Sequence, residues 1–327
     1  MTTRTLGKDL QVSAVGLGCM GFSHAYGTAT QREVAVKAIR EAAEMGYTFF
    51  DTAECYLGEN ADGSISYNEE LVGEALSPIR DEVVIATKCG VTHEGRTLVL
   101  DSSPETIVKS IDGSLKRLGT DHVDLYYQHR IDPKVRAEEV ADTMAGLIKA
   151  GKILHWGISE TNEDYLRRAH QVCPVTCIQN RYSMMARWHE KLFPVLEELG
   201  IGYVAFSPLA NGILSDTFSK GESFEAGDYR SAMPQYTEEA FDKNQELLSL
   251  IRSLSAEKQA TPAQISLAWM LSKKPYIVPI PGSRKVSRIR ENLGAAKIVL
   301  TNEEVRQIDE KLGSMEMSAV FGGSPAR

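Results

Sequence analysis

Long basic runs are absent from this sequence. Its 327 residues carry 36 Lys+Arg against 44 Asp+Glu, for a formal net charge of -8. A nucleic-acid groove or an anionic membrane surface is therefore not expected as the main partner. Any anion site has to be a local basic cluster. Membrane-spanning length is absent too, because no apolar run approaches the ~20 residues a bilayer-crossing helix needs. The N-terminal Met1-Thr2-Thr3-Arg4-Thr5-Leu6-Gly7-Lys8-Asp9 lacks the apolar core of a signal peptide, so no leader is expected. Cysteine is scarce and odd in number: Cys19, Cys55, Cys89, Cys173 and Cys177 give no disulfide framework. Cys173 and Cys177 have no second Cys/His pair to complete a metal site. Buried thiols in a reducing cytoplasm are the expectation. The seven histidines are His24, His93, His122, His129, His155, His170 and His189, and only His129 sits cleanly at a strand end. A metal-dependent barrel hydrolase needs several ligands there, so no metal is expected. Linkers, low-complexity tracts and sequence-level repeats are also missing.

What is present is a regular alternation. Hydrophobic residues make up 43% of the chain, enough for a sizeable core. Thr3 to Leu6 and Leu10 to Ser13 flank Gly7-Lys8-Asp9 and read as a β-hairpin. A short strand from Ala14 to Gly18 follows. Strands are then expected at 47–50, 83–88, 123–128, 153–158, 175–179, 201–206 and 276–280, each followed by a helical pattern. Thr30-Gln31-Arg32-Glu33, Ser66-Tyr67-Asn68-Glu69 and Thr301-Asn302-Glu303-Glu304 match capping boxes, and Ser103-Pro104-Glu105 and Thr261-Pro262 mark two more helix starts. One helix is expected near 238–258. Residues 207–237 break the rhythm, as a lid or binding loop would. Eight strand–helix units argue for a parallel sheet closed into a (β/α)8 TIM barrel, with an N-terminal β-hairpin and extra helices, in one domain over residues 1–327.

Gly16-Leu17-Gly18-Cys19-Met20-Gly21 matches G-x-G-x-x-G, but the next helix starts only near Thr30. The dinucleotide fingerprint needs a helix opening directly at the glycines. They are expected instead to let a loop pass close to something bound at the barrel mouth. Three strands end on ionisable groups: Phe49-Phe50-Asp51, Val83 to Lys88, and Val123 to His129. Tyr56 follows Asp51 by five residues, in a loop. Taken singly, such an acid caps a loop and such a tyrosine packs. Together they suggest one rim, since strand ends in a (β/α)8 barrel converge on the mouth where chemistry occurs.

These residues resemble the aldo-keto reductase superfamily along nearly the whole chain, most nearly its bacterial members with a short C-terminal tail. The motifs are Val15 to Gly21, Phe50-Asp51-Thr52-Ala53-x-x-Tyr56, Asn68-Glu69-x-x-Val72-Gly73, Thr87-Lys88, Asp124 to His129, Gly157-Ile158-Ser159, Gln179-Asn180, Phe206-Ser207-Pro208-Leu209, and Ile280 to Arg284 through Glu291-Asn292. The resemblance implies a catalytic tetrad of Asp51, Tyr56, Lys88 and His129. Tyr56 is then the acid that protonates a reduced carbonyl, and His129 orients the substrate's oxygen. An ammonium ~4 Å from the phenol stabilises the phenolate by roughly 4 kcal/mol at an effective dielectric of about 20, and so should lower the Tyr56 pKa by about three units.

The resemblance also implies a nicotinamide cofactor, NADP(H), lying extended over the mouth. Ser159 and Gln179 would grip its carboxamide, and Phe206 would stack on its ring. Ser207, Pro208, Leu209, Gly212 and Leu214 would cover its pyrophosphate with backbone amides. Gly18, Cys19, Met20 and Asp51 would lie against it. Ser283, Arg284 and Arg288 would hold a 2′-phosphate, with Glu291 and Asn292 at the adenine. Several departures stand out. Gly282 replaces a frequent Lys, Phe206 a frequent Tyr, and Glu160 a frequent Asn; the loop 57–66 is longer and more polar than usual. The expected partner is a small carbonyl compound, and the alternative reading is an NADPH-binding redox sensor with little turnover.

Overall fold

The computed structural model describes residues 2–94 and 97–322. Its strands are β1 (Thr3–Leu6), β2 (Leu10–Ser13), β3 (Leu17–Gly18), β4 (Phe49–Asp51), β5 (Leu57–Glu59), β6 (Ile65–Tyr67), β7 (Val84–Cys89), β8 (Val91–Glu94), β9 (Thr97–Leu100), β10 (Val123–Gln128), β11 (Ile153–Ser159), β12 (Cys177–Arg181), β13 (Gly202–Phe206) and β14 (Ile277–Pro279). Eight of them form one parallel sheet in the order β14-β13-β12-β11-β10-β7-β4-β3. Its two edges meet: the Gly16 N–H donates to the Pro279 carbonyl at 2.9 Å and the Gly18 N–H to the Pro281 carbonyl at 3.4 Å. The expected (β/α)8 barrel is therefore closed. A Cβ on Gly18 would stand 2.7 Å from the Ile280 carbonyl oxygen, and one on Gly282 would stand 2.7 Å from that of Gly18. These glycines let the end of β3 and the segment after β14 approach closely.

The β1–β2 hairpin plugs the end where the strands begin. Leu6, Leu10 and Val12 enter the barrel interior and pack with Phe49, Ala86, Leu125, Tyr127, Cys177, Val204 and Val278. Helices cover the outside, from Arg32–Met45 after β3 to Val286–Gly294 after β14, with the last packing on the first. Ile107, Ile111 and Leu118 of Pro104–Leu118 are buried at helical spacing, and Ser103 caps that helix at the Thr106 N–H. Among the described residues no helix is long and apolar enough to cross a membrane.

Local signals held unevenly. Thr301 and Thr261 form full capping boxes with Glu304 and Gln264. Thr30 and Ser66 do not. Gln31 and Tyr67 occupy the N-cap positions without side-chain caps. Thr30 is drawn away by its N–H, which donates to the Phe22 carbonyl at 2.7 Å, and Ser66 is committed to β6. The loop after Tyr56 is a β5–β6 hairpin, and β8–β9 forms a second hairpin that sequence patterning did not indicate. The helix expected at 238–258 is two, Glu238–Lys243 and Gln245–Lys258. Asn244 breaks it, its side chain bonding both the backbone N–H and the hydroxyl of Ser318 at 3.0 Å.

Candidate active site

Side chains alternate along a strand, so residues two apart share a face. The interior apolar layer contains Phe49, Ala86, Tyr127, Cys177 and Val204. Two residues further along each strand come Asp51, Lys88, His129, Gln179 and Phe206. One apolar layer therefore carries a polar layer at the mouth, drawn from five different strands or strand ends.

Lys88 is fully buried. Its Nζ donates to Asp51 Oδ1 at 2.5 Å, to the Thr52 carbonyl at 2.7 Å and to the Tyr56 hydroxyl at 3.1 Å. Gln179 Nε2 donates to the other Asp51 oxygen at 2.7 Å. His129 stands edge-on to Tyr56 with ring centres 5.8 Å apart. The four tetrad residues are thus brought together. Burial presses the Lys88 ammonium down, but Asp51 and Tyr56 outweigh it and leave its pKa raised. Burial raises the Asp51 carboxyl, against the pull of Lys88 and Gln179. Burial likewise raises the Tyr56 phenol, with Lys88 pulling down and Asp51 pushing up. The expected lowering of Tyr56 is therefore corrected: desolvation, together with an Asp51 that offsets the ammonium, reverses its sign. His129 is held well below the usual imidazole range by burial, with Arg130 and Lys88 adding to the effect.

Hydrogen bonds from behind fix this cluster. Asn68 Nδ2 donates to the Cys19 carbonyl at 3.0 Å and to Ser23 Oγ at 2.7 Å, while its Oδ1 accepts from Thr52 Oγ1 at 2.7 Å. Glu69 accepts from Thr87 Oγ1 at 2.5 Å and from Arg117 Nε at 2.6 Å. These bonds tie the loop bearing Tyr56 to the strand bearing Lys88. The rim also holds a group that the sequence did not single out. The His24 ring stacks on Tyr56 at 5.9 Å, His93 is 5.2 Å from His24, and Tyr229 meets His24 edge-on at 5.7 Å. His24 Nδ1–H donates to the Leu57 carbonyl at 2.7 Å.

The cofactor groove that the resemblance implies would run from Phe206 across the mouth. Ser159 Oγ accepts from Arg130 Nη1 at 3.0 Å. Ser207, Ala210 and Asn211 take positive φ values of 49°, 48° and 61°. Such strained non-glycine backbone gathers at functional sites. Gly212 sits at φ 116°, where a Cβ would meet the Phe218 ring at 2.6 Å. The chain then doubles back over the groove: Asp228 bridges to Tyr26, and the Tyr229 N–H donates to the Ala25 carbonyl at 2.9 Å. Arg284 Nε donates to the Gly21 carbonyl at 2.5 Å, while its Nη2 is buried without a partner. Arg288 Nη1 donates to Glu291 Oε2 at 2.9 Å, and Asn292 is buried. Gly282 is exposed and Ser283 half-buried beside them, and Met20 is half-buried across the cleft. The Cys19, Pro208 and Leu214 side chains are buried, and Leu209 packs on the core.

Residues 14–312 match the model of the aldo/keto reductase family. The chain belongs to that family. It is 38% identical to a probable aldo-keto reductase 1 of Glycine max over 97% of this chain and 89% of the other. It is 35% identical to the aldo-keto reductase str7 of Strobilurus tenacellus, over all of this chain and 96% of the other. The aldo-keto reductase AKR11C1 of Bacillus halodurans, in its holo form, superposes with a TM-score of 0.77 at 27% identity, covering 98% of each chain. The glycerol dehydrogenase AKR11B4 of Gluconobacter oxydans gives a TM-score of 0.83 at 25% identity, over 99% of each. As an aldo-keto reductase the chain is a carbonyl-reducing oxidoreductase, of a family that generally uses nicotinamide cofactors. The groove fits such a group: a buried guanidinium nitrogen without a partner suits a phosphate.

Proposed function

We propose that this chain, as one cytoplasmic domain, reduces a small aldehyde or ketone to its alcohol with NADPH, using Tyr56 as the general acid. The observation that carries the reading is the 3.1 Å bond from Lys88 Nζ to the Tyr56 hydroxyl, inside a buried pair with Asp51. A dihydronicotinamide held along Phe206 would supply hydride to the carbonyl carbon. The carbonyl oxygen would then lie between Tyr56 and His129. The His129 imidazole is neutral. The Cys55 thiol, pushed up to about 12 by burial, keeps its proton and faces His129 Nδ1 at 3.5 Å. Nε2–H is then free to donate to the substrate's oxygen. Tyr56 passes its proton to the forming alkoxide, and Lys88 holds the resulting phenolate while Asp51 holds Lys88. Ser159 and Gln179 would grip the carboxamide. The buried, free cysteines suit a reducing compartment.

The test is oxidation of NADPH and NADH against an aromatic aldehyde and a dicarbonyl. Turnover should favour NADPH. Because Tyr56 acts protonated and its pKa is raised, kcat should hold through neutrality and fall as pH rises through that value. Tight NADPH binding with no turnover over a broad panel would replace this reading with the sensor reading.

Arg284 is the proposed reader of the 2′-phosphate, with Ser283 and Arg288. Its free Nη2 gives it a donor to offer. Arg284→Met should weaken NADPH binding about tenfold to a hundredfold, the range of one or two charge-assisted bonds, and leave NADH within twofold. Equal losses for both dinucleotides in a binding titration would count against it.

A further inference from the structure

We propose that Arg181, with Arg130 beside it, is an oxyanion grip at the Phe206 end of the cleft, taking a phosphate or carboxylate. Arg181 ends β12 and pairs in register with Phe206. It lies two residues beyond Gln179 on the same face, one layer nearer the mouth. Its guanidinium stands 4.9 Å from the Phe206 ring centre, and that of Arg130 stands 5.9 Å from the same ring. Arg181 is only 6% exposed. Its Nε is buried without any partner, and the one contact of its Nη1 is with Asn211 Oδ1 at 3.5 Å. Among the described residues neither arginine forms an ion pair within 4.0 Å. Glu160 is near, but its Oε1 is used by the Arg181 backbone N–H at 2.9 Å and its Oε2 faces His189 at 4.0 Å. Arg130 spends its Nη1 on two neutral oxygens, the His129 carbonyl at 2.5 Å and Ser159 Oγ at 3.0 Å.

Two guanidinium groups held this close, one nearly buried and unpaired, are costly in a protein interior. Burial is the largest of the effects on Arg181, and an anion beside it would offset that cost and supply the missing bonds. The arrangement is fork-shaped donors around a flat ring face, which suits a planar or tetrahedral oxyanion rather than a metal or an apolar group. Two sources share that chemistry: the pyrophosphate of a dinucleotide, and an acid group on the carbonyl substrate. Asn211 and Tyr26, on the segments that cross the groove, lie on the Arg181 side and favour the first. The inference rests on the reading that a dinucleotide lies along Phe206. A packing role is the rival, since Arg181 also braces the C-terminal segment, where a Cβ on Gly322 would lie 3.2 Å from its Nη2.

The experiment compares the full chain with Arg181→Met, Arg181→Lys and Arg130→Met. Calorimetric titrations use NADPH, adenosine 2′-monophosphate (which has neither phosphate of the pyrophosphate) and inorganic pyrophosphate. Steady-state KM is read for 4-carboxybenzaldehyde against benzaldehyde. Arg181→Met should weaken NADPH about tenfold to a hundredfold, spare the 2′-monophosphate, and abolish binding of inorganic pyrophosphate, with Arg181→Lys intermediate. A KM rise confined to 4-carboxybenzaldehyde, with NADPH unchanged, would assign the grip to the substrate's acid group. Unchanged binding and KM overturn the proposal, as does an equal loss for every ligand that tracks a lower melting temperature. If Arg181→Met does not fold, Arg130→Met and Arg181→Lys carry the comparison. If the protein binds no dinucleotide, the function proposed above fails, while inorganic pyrophosphate still reads the grip.

Discussion

Tyr56→Phe should lower kcat for carbonyl reduction about a hundredfold to ten-thousandfold, the range of general acid catalysis, and leave the NADPH dissociation constant within twofold. The substitution removes one oxygen and keeps the ring. Its stacking on His24 and its edge contact with His129 therefore persist. Lys88 loses one of three acceptors and keeps Asp51 and the Thr52 carbonyl, so the buried pair survives. His129 and Cys55 are poor replacements as proton donors. His129 is neutral because burial holds its pKa far down, and the Cys55 thiol is far too weak an acid near neutrality. Steady-state rates beside a binding titration separate the two quantities. A kcat within about threefold of the parent would mean that another group supplies the proton, and Tyr56 would lose its role.

The barrel and its rim were legible because both follow from period. A strand that is apolar at one inward position and ionisable at the next inward position announces a mouth. Phe49 and Asp51, Ala86 and Lys88, and Tyr127 and His129 each do so. The irregular stretch 207–237 showed itself by interrupting the alternation. Other features are set by contacts between distant segments and leave no local mark. His24 and Tyr229 meet only because the segments after β3 and β13 cross, and His93 joins them from a hairpin without a strong strand pattern. Thr30 and Ser66 have the spacing of caps, yet the loop over β3 and the β5–β6 pairing claim them first. Gly18 reads as room for a bound group, and the structure adds a second demand on it that left no local mark, the close approach of the segment after β14. The sign of the Tyr56 shift was also out of reach, since a pairwise charge argument omits how deeply the pair is buried.

Lys88→Met should cost about 3–5 kcal/mol of stability, the range for breaking a buried ion pair from one side, besides removing activity. The side chain has nearly the same length, so packing loss is small. What remains is the Asp51 carboxylate, 3% exposed and held by Gln179 alone. The pH dependence has a definite sign. Asp51 already titrates above the ordinary carboxyl range through burial, and losing the ammonium moves it further up. A carboxyl raised on folding favours the native state at low pH, below its unfolded value of about 3.9, and that advantage is lost as pH rises through the folded value. The deficit of Lys88→Met should therefore be largest near pH 8 and shrink toward pH 5 in urea unfolding. Adding Asp51→Asn removes the stranded charge and should restore most of the loss, which makes the pair strongly non-additive. A deficit that is flat with pH and unrelieved by Asp51→Asn would mean that the cost is packing, and that the Asp51–Lys88 pair does not set the charge of this site.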